Sequence, residues 1–256
     1  MQNDILKLST INDDNCWIIH YACNGLYNSI LPAPNIICII ISNISCENKR
    51  KFYIGDYLKE YSIKEAEIII LKKFADFIDK NNNKYFIHWN MDSLAYGFSA
   101  INARCKELDI KINDTLNENK IDLSKIVENI ANKKVSLKQA LMFNDIPFDD
   151  FLDGKEELQA YNNGNYDSIL NSVHDKIIGI SLLIEALNDR KFKTCLSSNS
   201  KSKYAKKEMK KNDERLKNSN NSIKNTEEQN KNELFVFNSG HLILSKLSSL
   251  FLKRKR

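Results

Sequence analysis

Residues 35–42 read NIICIIIS, a run of β-branched apolar side chains with no polar alternation. A strand that shows one face to water alternates polar and apolar residues, so a strand without alternation is buried on both faces. Covering both faces of a sheet is the signature of an α/β arrangement. The neighbouring segments agree. WIIHYACNGL (Trp17 to Leu26) predicts a first strand running into a turn at Asn24-Gly25, and Lys51 to Ile54 predicts a strand pairing with 35–42 through a turn near Glu47 to Arg50. Ser62 and Glu65 have capping-box spacing and open a helix whose buried face is Ile63, Ala66, Ile70, Phe74 and Phe77.

The segment from Lys84 to Leu108 carries the strongest functional signal. A short apolar strand (Tyr85, Phe86, Ile87) meets a polar and aromatic cluster at His88, Trp89, Asn90 and Asp92. A helix is predicted over 93–108, with Leu94, Phe98, Ile101, Cys105 and Leu108 on one face. Open α/β sheets place binding sites where strand carboxyl ends open onto a crevice. Beyond it the chain turns helical. Asp122 caps a helix over Leu123 to Ile130, Ser136 and Gln139 box the start of Leu137 to Phe143, Gly154 to Tyr161 is a short polar helix, and Tyr166 to Leu187 is the longest.

With 256 residues, 42% of them hydrophobic, the chain can bury a full core. Its six cysteines form no C-x-x-C pair and no zinc-type grouping, which suits reduced thiols in the cytoplasm. The first residues, MQNDILKLSTINDD, carry no basic stretch leading into an apolar one, so no secretory leader is expected. The net charge of +5 is uneven: residues 197–256 hold 15 Lys/Arg against 6 Asp/Glu, leaving 23 against 27 in the rest. A basic tail on a mildly acidic body points to an acidic partner, either nucleic acid or an anionic membrane. Residues 1–14 read as an N-terminal extension, 15–192 as the α/β domain and 193–237 as a polar linker too poor in aliphatics to order itself. Residues 238–256 form an apolar segment ending in KRKR, and 242–256 could lie on anionic lipid.

Three strands, a helix, a fourth strand and then helices resembles the ribonuclease H-like fold of DEDD-type, proofreading-like 3′–5′ exonucleases, over roughly 15–190. The resemblance implies a mixed sheet of about four to five strands flanked by helices, followed by a helical half and the basic tail. It also implies where metal-binding acids belong. The family's D-x-E-x-x-G-L is similar to His20-Tyr21-Ala22-Cys23-Asn24-Gly25-Leu26, but His20 and Ala22 hold the carboxylate positions. Its H-N-x-x-F-D is similar to Trp89-Asn90-Met91-Asp92-Ser93-Leu94, with Leu94 in the place of the acid. Asp122 resembles the strand-end acid before a helix, and the last motif is reduced to His174-Asp175.

Two-metal hydrolysis needs clustered carboxylates, which an imidazole and a methyl do not replace. The expectation is therefore a pseudo-nuclease with no metal or other cofactor, binding nucleic acid or a nucleic-acid-processing protein. Its contacts would be His88, Trp89, Asn90, Tyr96 and Arg104 in the crevice, and Lys206, Lys207, Lys210 and Lys211 in the tail. One alternative is a divergent nuclease using Asp92, Asp122, Asp175 and His20 with Mg2+ or Mn2+. Another is a membrane-peripheral or partner-binding regulator acting through the tail. His20 also has a plain structural reading as a half-buried strand residue hydrogen-bonded to the backbone. His20, His88, Asn90, Asp92, Asp122, His174 and Asp175 are expected to converge at one sheet end.

Overall fold

A computed structural model describes residues 8, 10–26, 32–92, 95–113 and 119–196. The tail lysines Lys206, Lys207, Lys210 and Lys211 and the segment 242–256 lie outside the described residues, as do Leu94 and most of the 193–237 linker.

The strands are β1 (Cys16–Cys23), β2 (Ile36–Ser42) and β3 (Lys49–Tyr53), then β4 (Tyr85–His88) and β5 (Lys120–Asp122). Helix α1 (Ile63–Lys80) lies between β3 and β4, and α2 (Phe98–Glu107) between β4 and β5. Then come α3 (Leu123–Ala131), α4 (Leu137–Phe143), α5 (Gly154–Asn162) and α6 (Tyr166–Asn188). Among the described residues the sheet has five strands in the order β3-β2-β1-β4-β5. β2 runs antiparallel to both β1 and β3, while β1, β4 and β5 are parallel. This is the mixed ribonuclease H-like sheet that the sequence leads one to expect.

All seven residues of β2 are buried, as the unbroken apolar run requires. The pleat assigns the rest. Trp17, Ile19 and Tyr21 share a face with Phe52, whose ring meets Phe74 and Phe77 of α1. Ile18, His20 and Ala22 share the other face with Tyr53, whose hydroxyl donates to Asp167 of α6 at 2.8 Å. So α1 covers one face and α6 the other, and His20 and Ala22 point to the α6 side.

The expected capping boxes form at Ser62/Glu65 and Ser136/Gln139, and Asp122 caps α3 through the Ser124 amide. A third box, Asp153/Glu156, opens α5. Two boundaries differ from expectation. β3 begins at Lys49, with the turn earlier, at 43–48. The helix expected over 93–108 begins only at Phe98. The described residues here, 89–92 and 95–97, belong to a loop instead, in which Asn90 takes the left-handed conformation (φ 53°) and Gly97 has φ 124°. Asp92 and Gly97 bridge across that loop, and a Cβ at Gly97 would collide with the Met91 carbonyl. From Phe98 onward the expected apolar face holds, with Phe98, Ile101 and Cys105 all buried.

Candidate nucleic-acid cleft at the end of β1

Two polar groups lie at the carboxyl ends of β1, β4 and β5. The sheet separates them. Parallel pairing sets Ile18 beside Ile87 and His88 beside Asp122, so alternation turns His88 toward the α1 face and leaves His20 on the α6 face.

On the α6 side a cavity of about 340 Å3 opens at the end of β1. Its walls include His20, Trp89, Tyr96, Phe151, Glu157 and Lys176. Lys176 of α6 donates to the Glu157 carboxylate of α5 at 2.5 Å, and both side chains are only 7% exposed. Burial pushes the Glu157 carboxyl up, against the opposing pull of Lys176 and of the Ser172 hydroxyl. The Lys176 ammonium also lies 4.9 Å from the centre of the Phe151 ring. Burial, and after it the nearby positive charge of Lys176, lowers the His20 pKa well below its ordinary value. His20 is therefore a neutral imidazole, and its buried Nδ1 has no hydrogen-bond partner. Tyr96 stacks on Tyr21 at 4.6 Å and donates to the Tyr21 carbonyl at 2.8 Å, which fixes one wall. The Tyr21 hydroxyl in turn accepts from the Gly97 amide.

On the α1 side, candidate ligand atoms of His88, Asp92 and Asp122 lie within 4.8 Å of one another. No other such group of three or more occurs among the described residues. Much of its bonding capacity is already used. Asp122 Oδ1 accepts from the Asn90 and Ser124 amides at 3.0 Å and from the Ser124 hydroxyl at 2.6 Å. Asp92 meets Lys120 at Oδ1 and Lys125 at Oδ2, each at 2.7 Å. Partial burial opposes ionisation of Asp92, but the two ammonium groups outweigh it and hold the carboxyl below its ordinary value. His88 Nδ1 accepts from the Met91 amide at 3.1 Å, which leaves the proton of the neutral ring on Nε2. Burial lowers its pKa to about 4 despite the two aspartates.

The remaining expected site residues fall elsewhere. His174 is 3.3 Å from Lys49 of the edge strand β3, and Asp175 accepts from the amides of Asp149 and Asp150. Neither joins a sheet-end cluster, so the expected sevenfold convergence does not occur. Arg104 spends its guanidinium on Glu67, with bonds at 2.9 and 2.5 Å, and on Glu107 at 3.1 Å. Trp89 is buried and Asn90 exposed, and both line the cavity.

Sequence reasoning passed over Glu157 and Lys176. Glu157 read as part of the short polar helix over Gly154 to Tyr161. The signal was Lys176, a charge inside the stripe formed by Val173, Ile177 and Ile180, where a lone lysine demands a buried partner.

Strand order, mixed polarity and flanking helices give the ribonuclease H-like α/β arrangement that the sequence resemblance implies. Among solved structures, the chain is similar to the crystallised nuclease domain of 3'hExo, a DEDDh family member, bound to rAMP. That pair shares 15% identity and a TM-score of 0.39, over 72% of this chain and 96% of the other. No family model and no curated protein matches the sequence.

The residues at the β1 end do not fit a two-metal centre. His20 and Ala22 stand at the positions the resemblance assigns to carboxylates, and the Glu157 carboxylate in the adjoining cavity is already paired to an internal ammonium. The His88, Asp92 and Asp122 group has the ligand types and spacing for a single ion. A metal there would have to displace two lysines and move the ring proton of His88.

Proposed function

We propose that this chain binds nucleic acid, or a nucleic-acid-processing partner, through the cleft between β1, α5 and α6, and that it does not hydrolyse it. One observation carries the reading: at the end of β1 stand a neutral imidazole, a methyl group and a carboxylate neutralised by Lys176. Among the described residues the other carboxylate of that wall, Asp153, caps α5, so no pair of free acids is left there to hold two divalent ions about 3.5–4 Å apart. Tyr96, half-buried in the cavity wall, supplies aromatic surface of the kind on which a base stacks, at about 1–3 kcal/mol per base, while the Trp89 and Phe151 rings of the same wall are buried. The Lys/Arg-rich stretch after residue 197 would add salt-dependent attraction to phosphates.

The test is incubation of end-labelled single- and double-stranded DNA and RNA with the full chain, in Mg2+, in Mn2+ and in EDTA. The expected result is a shifted complex whose nucleic acid keeps its length in every buffer. A second reading, a metal-dependent nuclease with a rearranged site, is favoured by the proximity of His88, Asp92 and Asp122. Metal-dependent cleavage abolished by Asp92→Ala would establish that reading and end the first.

A further inference from the structure

We infer that the Lys176 ammonium is the resident cation of this cleft and receives a phosphate of the bound strand, so that binding needs no divalent metal. The inference rests on the nucleic-acid-binding reading above and names the group that does the work. A buried ion pair is a poor way to stabilise a fold, since well-packed apolar residues in its place are often neutral or better. This pair sits in the wall of a cavity, on a helix whose neighbouring stripe residues Val173, Ile177 and Ile180 are all fully buried and apolar. An ammonium carries three donor hydrogens. Glu157 takes one at 2.5 Å and the Phe151 ring faces the group at 4.9 Å, which leaves donor capacity for an incoming oxygen.

His20 stands in the same wall, with its ring 6.5 Å from that of Tyr96 and its Nδ1 enclosed without a partner. The lysine's point charge, not the enclosed imidazole nitrogen, is the group that meets the phosphate. Glu157 has the complementary duty of holding the ammonium in place when the cleft is empty. Because the cation is covalently part of the chain, removing free metal takes nothing from the site.

The experiment is fluorescence anisotropy of a labelled single-stranded oligonucleotide with the full chain. It is run at about 0.2 M salt, where non-specific phosphate contacts are weakened, in EDTA and in Mg2+ at matched ionic strength. Equal affinity in the two buffers, within about twofold, is expected. Lys176→Met is expected to weaken binding about tenfold, the loss of one charge-assisted contact. That variant strands a buried carboxylate and can fail to fold, so Glu157→Gln/Lys176→Met, neutral at both positions, is measured beside it with circular dichroism as a folding control. The same tenfold loss is expected from a folded double variant. Wild-type binding that requires Mg2+, or a folded double variant that binds as tightly as wild type, would overturn the inference and leave the nucleic-acid reading standing. No binding in either buffer would overturn both.

Discussion

The two polar groups at the sheet end contain similar residues and differ in what surrounds them. Each has a buried neutral histidine beside acids already paired to lysine: His20 with Glu157 and Lys176, His88 with Asp92, Asp122, Lys120 and Lys125. The α6-side group walls a cavity flanked by Trp89, Tyr96 and Phe151. In the α1-side group the bonds run inward, to the Asn90, Met91 and Ser124 amides, and hold the chain just after β4 to the first turn of α3. His88 Nε2 and Asp122 Oδ2 are buried without a hydrogen-bond partner, so what distinguishes the α6 side is the cavity it walls, not a greater free bonding capacity. On the proposed function the α6 side binds and the α1 side braces the loop beside it.

The contrast can be broken at several points. Lys176→Met alone should have the largest effect, a loss of about 3–5 kcal/mol in urea unfolding, because it leaves Glu157 buried without a partner. The double variant with Glu157→Gln should recover most of that. Acid comes next. The His88 pKa is lowered from 6.5 to about 4 on folding, so the unfolded chain binds the extra proton between those values. Stability is therefore complete above about pH 6.5 and falls as pH drops toward 4, with about 2 kcal/mol lost by pH 5. The lowered pKa of His20 acts in the same direction. Chemical denaturation at pH 7 and pH 5 measures the drop, and a stability unchanged between them would mean that neither ring is held neutral.

Asp122→Ala removes the α3 cap and the anchor of the Asn90 amide together. It should cost about 1–2 kcal/mol, with Asp122→Asn retaining most of the stability. The smallest effect belongs to Asp92→Ala, below about 1 kcal/mol, since Lys125 is more than half exposed and Lys120 partly so. Mn2+ that raises the Tm of the wild type but not of Asp92→Ala would reverse the assignment of roles and make the brace a metal centre.

Much of the fold was legible in the sequence because each local signal had one reading. The unbroken apolar run could only be an interior strand, and Ser62/Glu65 and Ser136/Gln139 marked helix starts to the residue. The helix before Gly97 was misread because periodicity does not register a backbone clash. Only the three-dimensional approach of Gly97 to Met91 shows that the helix must wait until Phe98. The site was legible in part. His20, Trp89, Asn90 and Tyr96 line one cavity as residues of a strand end and the loop beside it. The separation of His20 from His88 depends on parallel register, which no single segment encodes. Glu157 and Lys176 meet through the packing of α5 on α6, 19 residues apart in sequence, and only the lysine's place in an apolar stripe hinted at it.

The most direct measurement uses Trp89, which becomes the sole indole when Trp17 is changed to Phe, since the chain has two tryptophans. A single-stranded oligonucleotide titrated into Trp17→Phe protein should quench Trp89 emission saturably, at the same midpoint in EDTA as in Mg2+. Binding registered by anisotropy with Trp89 emission unmoved would place the nucleic acid elsewhere on the chain and contradict the assignment of the cleft.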